Sequence, residues 1–134
     1  MRVDFAFVCD YAEAFGKINA LGIGFDRILV PQIPHRHPHF SLVVQLRAST
    51  VEAGQKSIKV NVIDEDGKDI VPALDSRVTI PKPESGTESI GRFVIEFGNV
   101  EFRRYGVHSV RVSVEQTEVA EVNFAVSAPP TGSR

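Results

Sequence analysis

One cysteine, Cys9, is the chain's whole supply, so no internal disulfide can staple the fold. Long hydrophobic runs are missing too, and nowhere do the ~18 consecutive apolar residues of a membrane helix occur. The opening segment from Met1 to Asp10 has one early basic residue, and Asp4 and Asp10 cut its apolar run too short for a secretory signal. These absences point to cytoplasmic residence. An excess of positive charge is also lacking. Fifteen Lys and Arg against seventeen Asp and Glu give a formal charge of −2. Such a surface has no general attraction for phosphate backbones or anionic lipid, so neither nucleic acid nor membrane is expected as a partner. No Gly-x-Ser-x-Gly, phosphate loop or dinucleotide fingerprint is present, and Gly22-Ile23-Gly24 stops one glycine short of the last. No helix-period stretch and no internal repeat stands out.

What is present is period-two alternation. Phe93, Ile95 and Phe97 alternate with Arg92, Glu96 and Gly98; Val110, Val112 and Val114 with Arg111, Ser113 and Glu115; Val122, Phe124 and Val126 with Asn123 and Ala125. Successive strand side chains point to opposite faces, so each run buries one face and wets the other. Leu42, Val44 and Leu46 repeat the pattern within Phe40–Ala48, as do Ile58, Val60 and Val62. Val3, Phe5, Phe7 and Cys9 belong to a strand apolar on nearly both faces, which places it centrally in a sheet. Tyr11 to Gly16 reads as a turn, and Lys17–Ala20 with Ile23–Val30 as one strand bent at Gly22 and Gly24. Pro31, Pro34 and Pro38 mark a stiff extended connection. Asp64-Glu65-Asp66-Gly67 has hairpin-turn chemistry, and a short strand at Val78–Ile80 precedes the loop Pro81 to Gly86.

The pattern predicts an all-β fold, an antiparallel two-sheet β-sandwich of immunoglobulin-like or related type. The 134 residues fit one domain, 1–127, with 128–134 as a disordered tail. In immunoglobulin-like domains a late strand often carries a Tyr that anchors a corner on upstream backbone. His108, in Gly106-Val107-His108-Ser109-Val110, stands at that position as a structural anchor.

Phe7-Val8-Cys9-Asp10-Tyr11-Ala12-Glu13, Gly16-Lys17-Ile18-Asn19 and Gly22-Ile23-Gly24-Phe25-Asp26-Arg27-Ile28 carry a family resemblance, which continues through Ile58 to Gly67 and Gly106 to Val126. On these segments the chain resembles the bacterial domain-of-unknown-function 6941 family. The resemblance implies a small bacterial all-β domain and supplies no activity, cofactor or catalytic residue.

Candidate chemistry is sparse. His35, His37 and His39 lie at i, i+2 and i+4, so on an extended segment three imidazoles could converge on zinc or copper. Pro38 and the lack of a nearby Cys, Asp or Glu weigh toward a solvated loop. Asp64, Glu65 and Asp66, helped by Asp69 and Asp75, could ligate calcium, but a hairpin turn explains them more simply. Cys9 reads as a buried small hydrophobe, Asp26-Arg27 as a partly buried ion pair, and Phe102-Arg103-Arg104-Tyr105 as a strand-to-strand corner. Tyr11, Phe25 and Phe40 could line a ligand groove or belong to the core. No loop assembles an acid, a base and a nucleophile. The expected role is therefore a non-catalytic binding or assembly module, without cofactor, whose partner is another protein or a second copy joined at an edge strand. The alternative is a metal-binding protein that uses His35, His37 and His39.

Overall fold

Alternating apolar side chains do build strands through most of the chain. The computed structural model describes residues 1–83 and 86–130. Its strands are β1 (Arg2–Cys9), β2 (Tyr11–Phe15), β3 (Lys17–Leu21), β4 (Arg27–Leu29), β5 (His35–Ser49), β6 (Gly54–Ile63), β7 (Leu74–Ile80), β8 (Glu88–Phe102), β9 (Gly106–Val114) and β10 (Thr117–Ser127), with a 3-10 turn at Thr50–Glu52. They form a three-stranded sheet β1-β5-β8, a five-stranded sheet β4-β10-β9-β6-β7 and the hairpin β2-β3. Pairing is antiparallel except for β4, which runs parallel to the end of β10. Among the described residues no helix is long and apolar enough to cross a membrane.

The period-two runs meet in one core. Phe40, Leu42 and Val44 of β5 and Phe97 and Phe102 of β8 pack with Val60, Val62, Val110, Val112, Phe124 and Val126 of the five-stranded sheet. Leu46, Ala48, Ile80 and Val114 form a smaller cluster. At Gly91 an added Cβ would come 3.1 Å from Leu46 Cδ1 and 3.4 Å from Ile80 Cγ1, so a larger residue would press on this cluster. Each large apolar side chain buried this way contributes on the order of 1.5–3 kcal/mol.

Several elements differ from the sequence reading, and each for a local reason. β1 is an edge strand, because β5 takes the centre of its sheet. A register shift between Val3 and Phe5 turns Phe5, Phe7 and Cys9 to the outer face, opposite Gln45, Val43 and Ser41. Tyr11–Phe15 is a strand rather than a turn. Lys17–Leu21 folds back on it, while Arg27–Leu29 joins the five-stranded sheet, so the expected single bent strand is two strands in different sheets. Gly22 and Gly24, at φ 69° and 71°, make that separation possible.

Pro38 lies inside β5 rather than in a connection. β1 reaches only as far as Ser41, so at Pro38 the strand has β8 alone beside it, where a missing N–H costs the ladder least. Pro38 and Asn99, the latter at φ 51°, fall between the pairs His37–Val100 and His39–Gly98. The alternation breaks there, and Phe97 and Phe102, five positions apart, both enter the core. Of the expected tail, Ala128, Pro129 and Pro130 are exposed. Residues 131–134, like Glu84 and Ser85 of the expected Pro81 to Gly86 loop, lie outside the described residues.

Candidate functional site

The β2–β3 hairpin covers the outer face of the three-stranded sheet. Its two sides differ sharply. Ala12, Ile18 and Ala20 turn inward and pack with Cys9, Val43, Phe7 and Val94. Alanine's short side chain lets the hairpin lie close, which explains why Val43 is fully buried although it points away from the main core. Cross-strand neighbours Tyr11 and Leu21, Glu13 and Asn19, and Phe15 and Lys17 occupy the other side. There the apolar side chains meet solvent: Phe15 is 81% exposed, Leu21 68%, Ile23 just beyond it 61%, and Tyr11 47%.

The hairpin is fastened at root and tip. At the root the Asp10 amide donates to the Leu21 carbonyl at 2.9 Å and the Gly24 amide to the Val8 carbonyl at 2.8 Å. Gly22 is at φ 69°, and an added Cβ there would come 2.2 Å from Asp10 Oδ2, so any other residue would force Asp10 to shift. At the tip, Arg92 donates to the Gly16 carbonyl at 3.3 Å and to Gln45 Oε1 at 2.7 Å. Gln45 in turn donates to Asp4, which also accepts from Arg47. Those bonds hold the Asp4 carboxyl below the usual carboxylate range, the Gln45 bond most of all.

The three sequence-selected histidines are divided by the Pro38 break. His37 packs its ring 6.1 Å from both Phe40 and Phe102. Burial, with His35 next in weight, pushes its imidazole below the ordinary value. His39 instead serves the hairpin root, its Nδ1 2.9 Å from the Asp10 carbonyl and its Nε2 3.2 Å from Glu96 Oε1. The ring thus ties the hairpin root to β8. Tyr11 lies over this ring at 5.9 Å. Among the described residues no group of three His, Cys, Asp or Glu side chains is placed to hold a metal ion.

The remaining candidates fall into structural places. Cys9 is fully buried, and burial, then Asp10, pushes its thiol up. Asp64 Oδ1 accepts from the Asp66 and Lys68 amides, which makes the acidic run a turn. Asp26 and Arg27 are both exposed, so the expected partly buried pair does not form. Phe25 and Phe40 meet edge-on at 6.3 Å inside the core and line no groove with Tyr11. Phe102 to Tyr105 is the corner between β8 and β9, with the Tyr105 hydroxyl donating to the Val30 carbonyl at 3.1 Å. His108 is fully buried and stacked on Phe124 at 5.8 Å, and its Nδ1 lies 3.0 Å from the carbonyl of Gly106, two residues before it.

Sequence reasoning missed Phe15, Leu21 and Ile23. The signal was Tyr11, Glu13 and Phe15 alternating with Ala12 and Ala14, a period of two hidden by alanine's weak strand preference.

The chain matches no curated protein. Among solved structures it is similar to Pseudomonas fluorescens alkylpurine DNA glycosylase AlkC bound to DNA containing an abasic site analog, at 14% identity over 77% of this chain and 28% of that one, with a TM-score of 0.48. It is also similar to a β-glucosidase from Listeria innocua in complex with gluconolactone, at 12% identity over 87% of this chain and 19% of that one, with a TM-score of 0.45. The chain thus spans under a third of either protein, and likeness this slight assigns neither a fold nor an activity. The model of a family of unknown function, DUF6941, matches residues 4–127, and the chain belongs to that family.

Proposed function

We propose that this chain is a non-catalytic protein-binding or assembly module on an immunoglobulin-like two-sheet sandwich, and that it docks through the outer side of the β2–β3 hairpin. One observation carries the reading: Tyr11, Phe15 and Leu21 stand exposed on a hairpin that is itself fastened to the sheet, with Ile23 exposed just beyond it. Scattered exposed apolar residues are ordinary, but large ones raised together on one element mark an interaction surface. Glu13 lies between them and Lys17 stands across from Phe15 at the tip, and both would set register with a partner. The lone, buried Cys9 supports a reducing compartment, so the bacterial cytoplasm is part of the same proposal.

A second copy of the chain is the first partner to test. Sedimentation velocity over a concentration series should show self-association that Phe15→Ser with Leu21→Ser abolishes. A dimer that survives both substitutions overturns the hairpin as its interface. A wild type that stays monomeric removes the homodimer, and the occupant is then a different protein. Stoichiometric metal in tag-free protein, lost from His37→Ala with His39→Ala, would replace this reading with the metal-binding one.

A further inference from the structure

A cavity of about 200 Å³ lies between the loop after β6 and the corner between β8 and β9, lined by Asp64, Lys68, Asp69, Ile70, Arg103, Arg104 and His108. It is remote in sequence from the hairpin, and nothing in the docking proposal uses it. Its walls mix both charges, yet most of the charged groups are already engaged. Arg103 pairs with Glu101 at 3.0 Å, and Arg104 pairs with Asp66. Asp64 Oδ1 holds two backbone amides, and Asp69 accepts from Asn61 at 3.4 Å. Each guanidinium still keeps further N–H donors. Lys68, which is exposed, has no ion-pair partner among the described residues.

The inner wall holds the second free group. His108 Nδ1 faces the Gly106 carbonyl, so the neutral ring carries its hydrogen there and Nε2 is a bare acceptor. That Nε2 is buried and meets no protein donor. Phe124 stacks on the ring, Phe102 approaches it edge-on at 5.2 Å, and the ring forms part of the cavity wall. A buried acceptor without a partner asks for a donor hydrogen. The unpaired ammonium of Lys68 asks for an oxyanion.

A molecule that answers both carries an anionic group at one end and a donor-rich group at the other. We propose that this cavity binds a small zwitterion, a free amino acid, with its carboxylate at Lys68 and the arginines and its ammonium directed to His108 Nε2 and Asp69. The exposed Lys68, Arg103 and Arg104 side chains form the rim and can shift to admit it. The size fits: about 200 Å³ is more than ten times the roughly 10–15 Å³ of such space that holds one water.

The test is titration of the full chain, labelled with nitrogen-15, above the ordinary histidine range, following the His108 ring nitrogens. Glycine and serine are the probes; acetate and methylammonium each carry one of the two charges. Glycine or serine should shift Nε2 saturably and at least about tenfold more tightly than either single-charge control, and Lys68→Met should weaken that binding about tenfold. Lys68 is a surface residue, so its substitution leaves the fold to report. No saturable shift with either amino acid, controls that match them, or a Lys68→Met chain that binds as well as wild type would each overturn the proposal and leave a water-filled cleft.

Discussion

At the scale of single residues, the period-two reading makes its sharpest claims about phase. Val112 is fully buried and Phe124 nearly so, while Val107, on the outer side of the same strand as Val112, is 49% exposed. Val112→Asp and Phe124→Ala should each cost about 3 kcal/mol or more in denaturant unfolding, through a buried unpaired charge and a cavity. Val107→Asp should stay within about 0.5 kcal/mol. Equal losses at Val107 and Val112 would show the phase to be wrong. The buried histidines give a second test. Burial pushes the His108 imidazole below its ordinary 6.5, against the Gly106 carbonyl and the charges of Asp64 and Glu65. His37 shifts the same way. Both groups are depressed in the folded state, so as pH falls through about 6.5 the unfolded chain takes up protons that the folded chain refuses. Stability should therefore fall between neutral pH and about pH 5.5, before carboxylates titrate. A stability that is level or rising over that interval contradicts the assignment. The burial of His108 is legible from its phase with Val110 and Val112. The bond that Tyr105 makes across the corner is not, because its partner, the Val30 carbonyl, lies 75 positions away.

At the scale of elements, strands with strong β-formers were legible and the hairpin was not. Phe93 to Phe97 of β8, Val110 to Val114 of β9 and Val122 to Val126 of β10 carry Phe, Ile and Val at every second position, and the sequence shows them directly. β2 and β3 carry Ala12, Ala14 and Ala20, which tertiary packing rather than propensity makes into strands. β1 reads as a central strand for a related reason. Its two apolar faces suggested a central strand, but one face is covered by the core and the other by the hairpin, so an edge strand reads like an inner one. The hairpin is a thin element held by few bonds, and such elements open independently of the core. Gly22→Ala forces a side chain into positive φ against Asp10 and should cost about 1 kcal/mol or more. Hydrogen exchange should then speed up at β2 and β3 and leave β5 and β8 unchanged. Equal loss of protection in all four strands would show that the hairpin is no separate unit.

At the scale of the whole molecule, composition and periodicity were enough for the all-β class but not for the sheet plan. Strand order is invisible to a period of two, and the sorting of β4 into a parallel pair with β10 depends on glycines that the sequence reading took for a bulge. The candidate site was legible in part. His35, His37 and His39 were visible as a motif, yet the Pro38–Asn99 break sends them to different surroundings: His37 to the core aromatics and His39 to the hairpin root. The exposed apolar side is not legible in the sequence, because which face a hairpin presents depends on the sheet beneath it. The central claim is that this outer side is where a protein docks. It is tested most directly by affinity capture from the native host with wild type and with the folded Phe15→Ser, Leu21→Ser variant side by side, followed by mass spectrometry of bound proteins. The account expects one dominant partner, or a second copy of the chain, on the wild type and its loss from the variant. A partner held equally by both chains would contradict it.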